Sequence, residues 1–306
     1  MLSISVWLPV VASLVPFVAT VCVLWLWVKK KDLSGRRNPL TRDLLRAPGE
    51  SLRERISDIN FDVAAFFALS PLPLIYIYAA AMSEKAFSGH WPPLRVIVLD
   101  GIAAAGMLSW IWWRLWTLLR TRRFLTLGYE AELAVGQELN QLLSQGFHVF
   151  HDVAGREFNI DHVVVGSTGV FAVETKGRSK PGARQDASES QKVMYDGASL
   201  QFPGWIETKP LQQAQMQANW LQEWLSSAIG EGVAVQPVLV LPGWYVERTS
   251  GHGIPVLPGA NLQKYFEKPK GETRLDEIHI NRIAHQLDRR CRTVAPRAYA
   301  KDRRVA

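Results

Sequence analysis

From Ile4 to Val28 the chain carries no charged residue. A helix of that length is long enough to cross about 30 Å of hydrocarbon. The positive charges, Lys29, Lys30 and Lys31, follow the apolar run instead of preceding it. That order marks an anchor and not a removed signal. Val63–Met82 is a second uncharged stretch, with Pro71 and Pro73 inside it. Prolines are tolerated in membrane helices where neighbours re-satisfy the backbone, so the stretch predicts a kinked span. Val96–Leu119 is a third run. Its Asp100 and Arg114 lie near the ends, within snorkelling reach, and Trp110, Trp112, Trp113 and Trp116 cluster like an interfacial belt. An amphipathic helix lying on the membrane surface is the other reading of this third run. Residues 1–123 are thus expected to form an all-α membrane region of three transmembrane helices, at about 4–28, 63–82 and 96–119.

Charge sets the expected orientation. Residues 29–60 hold nine Lys/Arg, residues 83–94 hold Lys85 alone, and Arg120, Arg122 and Arg123 follow the third run. The positive-inside rule then puts the N-terminus outside and the C-terminal domain in the cytoplasm, as a multi-pass protein of the cell (inner) membrane. The lipid bilayer is its first partner. The formal net charge is +7, yet residues 124–306 carry 20 Lys/Arg and 20 Asp/Glu. The basic balance therefore reports topology, not nucleic-acid affinity. Residues 289–306 read as a basic tail, with seven positive residues against Asp302, suited to anionic lipid, to nucleic acid or to disorder. Cys22 and Cys291 are too differently placed to pair, which agrees with a reducing cytosol.

The chemistry concentrates between Asn159 and Lys176. Asn159-Ile160-Asp161-His162-Val163-Val164-Val165 and Val170-Phe171-Ala172-Val173-Glu174-Thr175-Lys176 flank a Gly166-Ser167-Thr168-Gly169 turn, which predicts a β-hairpin. If Val165 pairs with Val170, the register puts Asp161 opposite Glu174, and directly opposed Cβ atoms lie about 5 Å apart. Lys176 shares a face with Glu174. Two carboxylates and an ammonium converge at one end of a hairpin whose other positions are mostly apolar. A cross-strand salt bridge is the bland account. The sharper one is a hard divalent cation, Mg²⁺ or else Mn²⁺, held by Asp161 and Glu174 with waters and phosphate oxygens, while Lys176 orients water or stabilises developing charge.

This pattern, Asp-x(12)-Glu-x-Lys on consecutive strands, resembles the core of the PD-(D/E)XK nuclease superfamily. Residues 128 to about 241 resemble, more narrowly, a nuclease-related domain (NERD). Gly128-Tyr129-Glu130-Ala131-Glu132-Leu133-Ala134-Val135 is similar to that family's opening helix, with Ala131 for the more usual glycine. Asn159-Ile160-Asp161-His162, Val173-Glu174-Thr175-Lys176 and Pro210-Leu211-Gln212-Gln213-Ala214 follow in the family's order, with Lys209 where Asn often precedes the proline. The resemblance implies a restriction-endonuclease-like fold and a Mg²⁺-dependent phosphodiesterase. It adds Glu132 as a third carboxylate, a residue that otherwise reads as an ordinary acid in a helix's first turn. Gln213 is either an orienter of the lysine or of a phosphate, or a solvent-facing helix residue.

The flanks fit a three-layer α/β sandwich with a mixed central sheet over residues 124–288. Residues 130–143 show helical spacing closed by Gly146, 147–153 alternate as a first strand, and a helix begins at Gln213 and runs to about Ser227. Residues 233–241 make a buried strand, 254–257 an edge strand, Asn261 caps a short helix and 275–287 is amphipathic. His162 points away from Asp161 and suits a hydrogen-bonded core role. His148 and His151 face opposite sides and suggest no zinc, and Asp152 reads as a turn residue. Arg178, Lys180 and Arg184 sit in a loop where phosphate contact and plain solvation compete. For Trp205, Trp220, Trp224 and Trp244, base stacking competes with core packing. The function expected is hydrolysis of phosphodiesters in DNA, with RNA second. The alternative is a non-catalytic module that holds nucleic acid or a partner at the membrane. Oligomeric state is open, and a transporter or channel is disfavoured by the few ionisable groups in the spans.

Overall fold

The computed structural model describes residues 22, 23, 26, 40, 42–181, 191–268 and 274–295. The first expected span, Arg184 and residues 296–306 of the basic tail fall outside these, apart from Cys22, Val23 and Leu26 in the span. The described chain divides into two units, residues 57–122 in one and residues 42–56 with 123–295 in the other.

The first unit is helical. Helix α1 is Glu50–Leu69, α2 is Leu72–Ser88 and α3 is Leu94–Asn140. Two stretches, Glu50–Ser88 and Leu94–Gln145, are long and apolar enough to cross a membrane. The expected kink is a break in the helix at Ser70–Pro71. Proline lacks an N–H and steers the preceding residue out of the α region. Ser70 closes the end of α1, giving its backbone N–H (3.2 Å) and its hydroxyl (2.8 Å) to the Phe67 carbonyl. The third expected span is not a separate helix. It continues without interruption into the helix carrying Glu132, so the 123/124 boundary lies inside α3.

The second unit is mixed α/β. Its main sheet has five strands: β2 (His148–Ala154), β3 (Asn159–Gly166), β4 (Gly169–Thr175), β8 (Val235–Leu241) and β10 (Val256–Pro258), in the order β10-β8-β4-β3-β2. The β2–β3–β4 meander is antiparallel, while β4–β8 and β8–β10 are parallel. Pro258 sits in an edge strand, where a missing ladder donor is harmless. Helices cover both faces. On one, Val163, Val165, Val170 and Ala172 pack against α4 (Lys209–Ile229) through Ala218, Leu221 and Leu225, and against α6 (Glu277–Cys291) through Ile283 and Leu287. On the other, Val164, Phe171, Val173 and Val238 meet Val135 and Leu139 of α3 and Phe266 of α5 (Gln263–Phe266).

Three features depart from the expectations. A second sheet, β7 (Trp205–Glu207), β6 (Leu200–Phe202), β5 (Lys192–Tyr195) and β9 (Tyr245–Arg248), surrounds its own core of Tyr195, Phe202, Trp244 and Leu241. Asn261 does not cap α5. It adopts a left-handed φ of 57° just ahead of Leu262, the residue at the cap. The tail does not begin at 289: α6 runs to Cys291, and β11 (Arg292–Val294) pairs antiparallel with β1 (Leu44–Leu45).

Candidate active site

The β3–β4 register is the expected one, with Val165 opposite Val170 and the ladder continuing to His162 opposite Val173. At the next step it lapses. The end of β4 follows β8 instead, pairing Glu174 with Leu239 and Thr175 with Val240, and Lys176 gives its N–H to the Val240 carbonyl at 2.9 Å. The Asp161 carboxylate takes over a lost ladder bond by accepting the Thr175 N–H at 2.7 Å. On the other side of β3 the β2 ladder also skips a step. The pairs His151–His162 and Val153–Ile160 bracket Asp152 and Asp161, and Asp152 has a φ of 49°. The sheet therefore opens on both sides of Asp161.

Three carboxylates, Glu132, Asp161 and Glu174, gather around this opening. Glu174 is buried at 1% exposure, and Glu132 at 9%. Burial pushes the Glu132 carboxyl up to about 8, with the charges of Asp152 and Glu174 adding to it and Lys176 opposing. Asp161 keeps some solvent access. Its carboxyl is nonetheless driven well above the ordinary range by desolvation, then by Glu174 and Glu132. Glu174 is raised by burial and held back by the Lys176 ammonium and by the nearby Gln217 amide. Lys176 makes an ion pair with Glu174 Oε1, while Glu174 Oε2 has no hydrogen-bond partner among the described residues.

Close packing brings Glu132 to the strand ends. A Cβ on Gly177 would lie 2.8 Å from the Leu127 carbonyl and 2.9 Å from Ala131 Cβ. Only glycine after Lys176, and a small residue at 131, allow α3 to come this near. The strand end and the turn of α3 bearing Glu132 are thereby held together.

Gln213 is half-buried and lines a cleft of about 460 Å³ with Lys176, Lys209 and Pro210. One turn further along α4, Gln217 is fully buried and gives its amide to the Asn159 carbonyl at 3.1 Å. The sequence signal that could have found Gln217 is its place on the apolar side of α4, beside Ala214, Ala218 and Leu221.

Asp152 is not a turn residue. It is 1% exposed and accepts from Arg46 Nε (2.9 Å) and Nη2 (2.6 Å), Ser51 N (2.7 Å) and Oγ (2.8 Å), and Asn159 Nδ2 (2.8 Å). His162 lies apart from the acids. His151 Nε2 meets Asn140 Oδ1 at 3.0 Å and its Nδ1 meets His162 Nδ1 at 2.9 Å. With Asn140 accepting, His151 Nδ1 must accept from His162, which fixes both tautomers. Burial pushes His151 down to about 4 and also drives His162 well below the ordinary histidine range. Arg178 is held by both oxygens of Glu207 at 2.8 Å each. Trp244 is core, Trp205 stacks on Phe202, and Arg290 lies over Trp220 and Trp224.

Residues 127–242 match the family model for the nuclease-related domain, NERD. No curated protein and no solved structure matches the chain. The chain thus contains a nuclease-related domain, and with it goes an interaction with nucleic acid in general. Among the described residues no group of three or more His, Cys, Asp or Glu is arranged to hold a metal ion. Mg²⁺ does not require one, since one or two carboxylates with water and substrate oxygens suffice. The donor set fits such an ion: Glu174 Oε2 lacks a partner among the described residues, and Asp161, Glu174 and Glu132 lie near enough for the carboxylates to act on one another.

Proposed function

We propose that this chain is a membrane-anchored, Mg²⁺-dependent nuclease-like protein that hydrolyses phosphodiester bonds, in DNA before RNA, at the cytoplasmic face. The observation that carries the reading is the gathering of Glu132, Asp161 and Glu174 around Lys176 at the opening in the sheet, within the stretch that matches the nuclease-related domain. A sheet covered by helices on both faces supports a restriction-endonuclease-like three-layer sandwich. The two apolar helical stretches support an anchored chain of several spans.

Asp161 and Glu174 would hold the ion, Mg²⁺ or Mn²⁺, which when bound supplies charge neutralisation at the phosphodiester and readies a water. The Thr175 N–H fixes one oxygen of Asp161 and so aims the other. Lys176, tethered to Glu174 and lining the cleft, offers positive charge where the transition state gains negative charge. Glu132, with its carboxyl near 8, holds a proton at neutral pH and can donate it or hydrogen-bond through it. Gln213 faces the same cleft and is placed for a phosphate or for the attacking water.

The test is cleavage of plasmid DNA and of RNA by the full chain in detergent micelles, with and without Mg²⁺. Lys176→Ala is expected to lower the rate by about a hundredfold or more, in line with loss of one transition-state charge contact. Equal cleavage by wild type and variant rejects the assignment. Metal binding at Asp161 and Glu174 without any cleavage favours the non-catalytic binding module instead.

A further inference from the structure

The cleft beside Lys176 has two chemically unlike lips. One is cationic: Lys176, and Lys209 at the start of α4, which is exposed and makes no ion pair among the described residues. The other is apolar: Ile206, 67% exposed, with the ring of Pro210. An isoleucine so exposed beside a polar site is not an accident of a loose loop. It is carried on the β6–β7 hairpin, which turns at Gly204 with a φ of 94°. Glu207, its neighbour, takes both Arg178 donors at 2.8 Å and the Trp205 indole N–H at 2.9 Å. The Trp205 ring stacks on Phe202 at 4.7 Å with planes 3° apart. The hairpin is braced, and it presents a side chain that can make contact but no hydrogen bond.

A ligand that suits both lips carries phosphate on one edge and a flat apolar face on the other. A nucleotide strand does, provided the base face is free. Within a duplex each face is covered by its stacked neighbours, whereas an unpaired base exposes it. Isoleucine reads no base edge, so such contact is tolerant of sequence. Resting on the nuclease reading of the same site, we propose that the cleft takes single-stranded nucleic acid, with Ile206 packed against an unpaired base and Lys209 on the adjoining phosphate.

The test is binding by the full chain in detergent micelles with EDTA present, read by fluorescence anisotropy. The probes are labelled oligo-dT and oligo-U of roughly a dozen nucleotides, and a duplex of oligo-dT with oligo-dA. Oligo-dT is expected to bind about tenfold or more tighter than the duplex. Ile206→Ser should weaken oligo-dT about five- to tenfold and leave the duplex unchanged, and Ile206→Leu should restore it. Lys209→Ala should weaken both and reduce the salt slope by about one. Oligo-U binding like oligo-dT also supports the proposal, since the contact ignores the sugar. Equal or tighter duplex binding, or an Ile206→Ser variant indistinguishable from wild type, overturns it. Failure of the nuclease reading looks different: single strands bind through Ile206 but are not cut when Mg²⁺ is restored.

Discussion

Glu132 shows how a single side chain can tie stability to pH and to a cation. Its carboxyl lies near 8 in the folded chain against about 4.5 in an open one. Below pH 4.5 both states hold the proton. As pH rises toward 8 the unfolded chain loses it first, so the folded state loses stability across that window. The His151–His162 pair acts in the opposite sense. Both are depressed, so as pH falls from 6.5 to about 4 the unfolded chain takes protons that the folded one refuses. The two windows overlap between about pH 4.5 and 6.5, where the two effects oppose each other in EDTA, and above pH 6.5 the carboxyl loss stands alone. A cation at Asp161 and Glu174 would offset the alkaline loss, so Mg²⁺ should raise the unfolding midpoint more at pH 8 than at pH 5.5. Glu132→Gln should shrink the loss above pH 6.5 without abolishing it, because burial raises the Asp161 and Glu174 carboxyls as well. Unfolding followed by tryptophan fluorescence at several pH values checks both outcomes, and a Mg²⁺ shift that ignores pH would argue against these acids as its seat.

At the scale of elements, residues 42–56 behave as part of the nuclease-related unit although they lie far outside residues 127–242. β1 pairs with β11, the Pro48 ring occupies the place of a Cβ on Gly136, 2.5 Å from its ideal position, and Asp152 caps the start of α1 through Ser51. Arg46 and Asp152 are 14% and 2% exposed, so Arg46→Ala would leave a buried carboxylate short of its cation. Breaking such a pair costs about 3 kcal/mol, and Ser51→Ala about 1 kcal/mol as one lost hydroxyl hydrogen bond, its backbone N–H staying on Asp152. The two share one acceptor, so the double variant should fall short of the sum. Denaturant midpoints in micelles test this, and an unchanged midpoint for Arg46→Ala would detach the clasp from the fold. None of it was legible in sequence, because Arg46 and Ser51 lie 106 and 101 residues from Asp152. The hairpin was legible because its Val-rich strands and Gly-bounded turn admit one register. The second sheet was not, since strands of three or four residues show too little alternation. Gln213 was read from a motif, whereas for Gln217 the sequence offered only its place on the apolar side of α4, and its partners Asn159 and Glu174 come from the fold. The fusion of the third span with the Glu132 helix also escaped the sequence. Gly128 and Gly136 lie inside that helix as close contacts for Leu52 and Pro48.

For the whole molecule, the proposed reaction needs the candidate site on the side of the membrane that holds nucleic acid. The argument for that side is the charge asymmetry, nine Lys/Arg in residues 29–60 against Lys85 alone in residues 83–94. The bias acts during insertion, holding the basic loop in the cytoplasm. On the proposed orientation, Ser88, at the exposed end of α2, and Ser227, on the exposed side of α4, would lie on opposite sides of the bilayer. The two can be compared by cysteine labelling in a Cys22→Ser background. Cys291 stays silent in such an experiment, because it is buried at 1% exposure and its thiol is pushed up to about 12. Ser88→Cys should react with a membrane-impermeant maleimide in intact cells, and Ser227→Cys only after permeabilisation. The reverse pattern would put Asp161, Glu174 and Lys176 outside. Labelling of both in intact cells would put them on one side, leaving an even number of crossings between them. Either outcome removes the reason for a cytoplasmic nuclease while leaving the acidic opening in the sheet to be explained by another substrate.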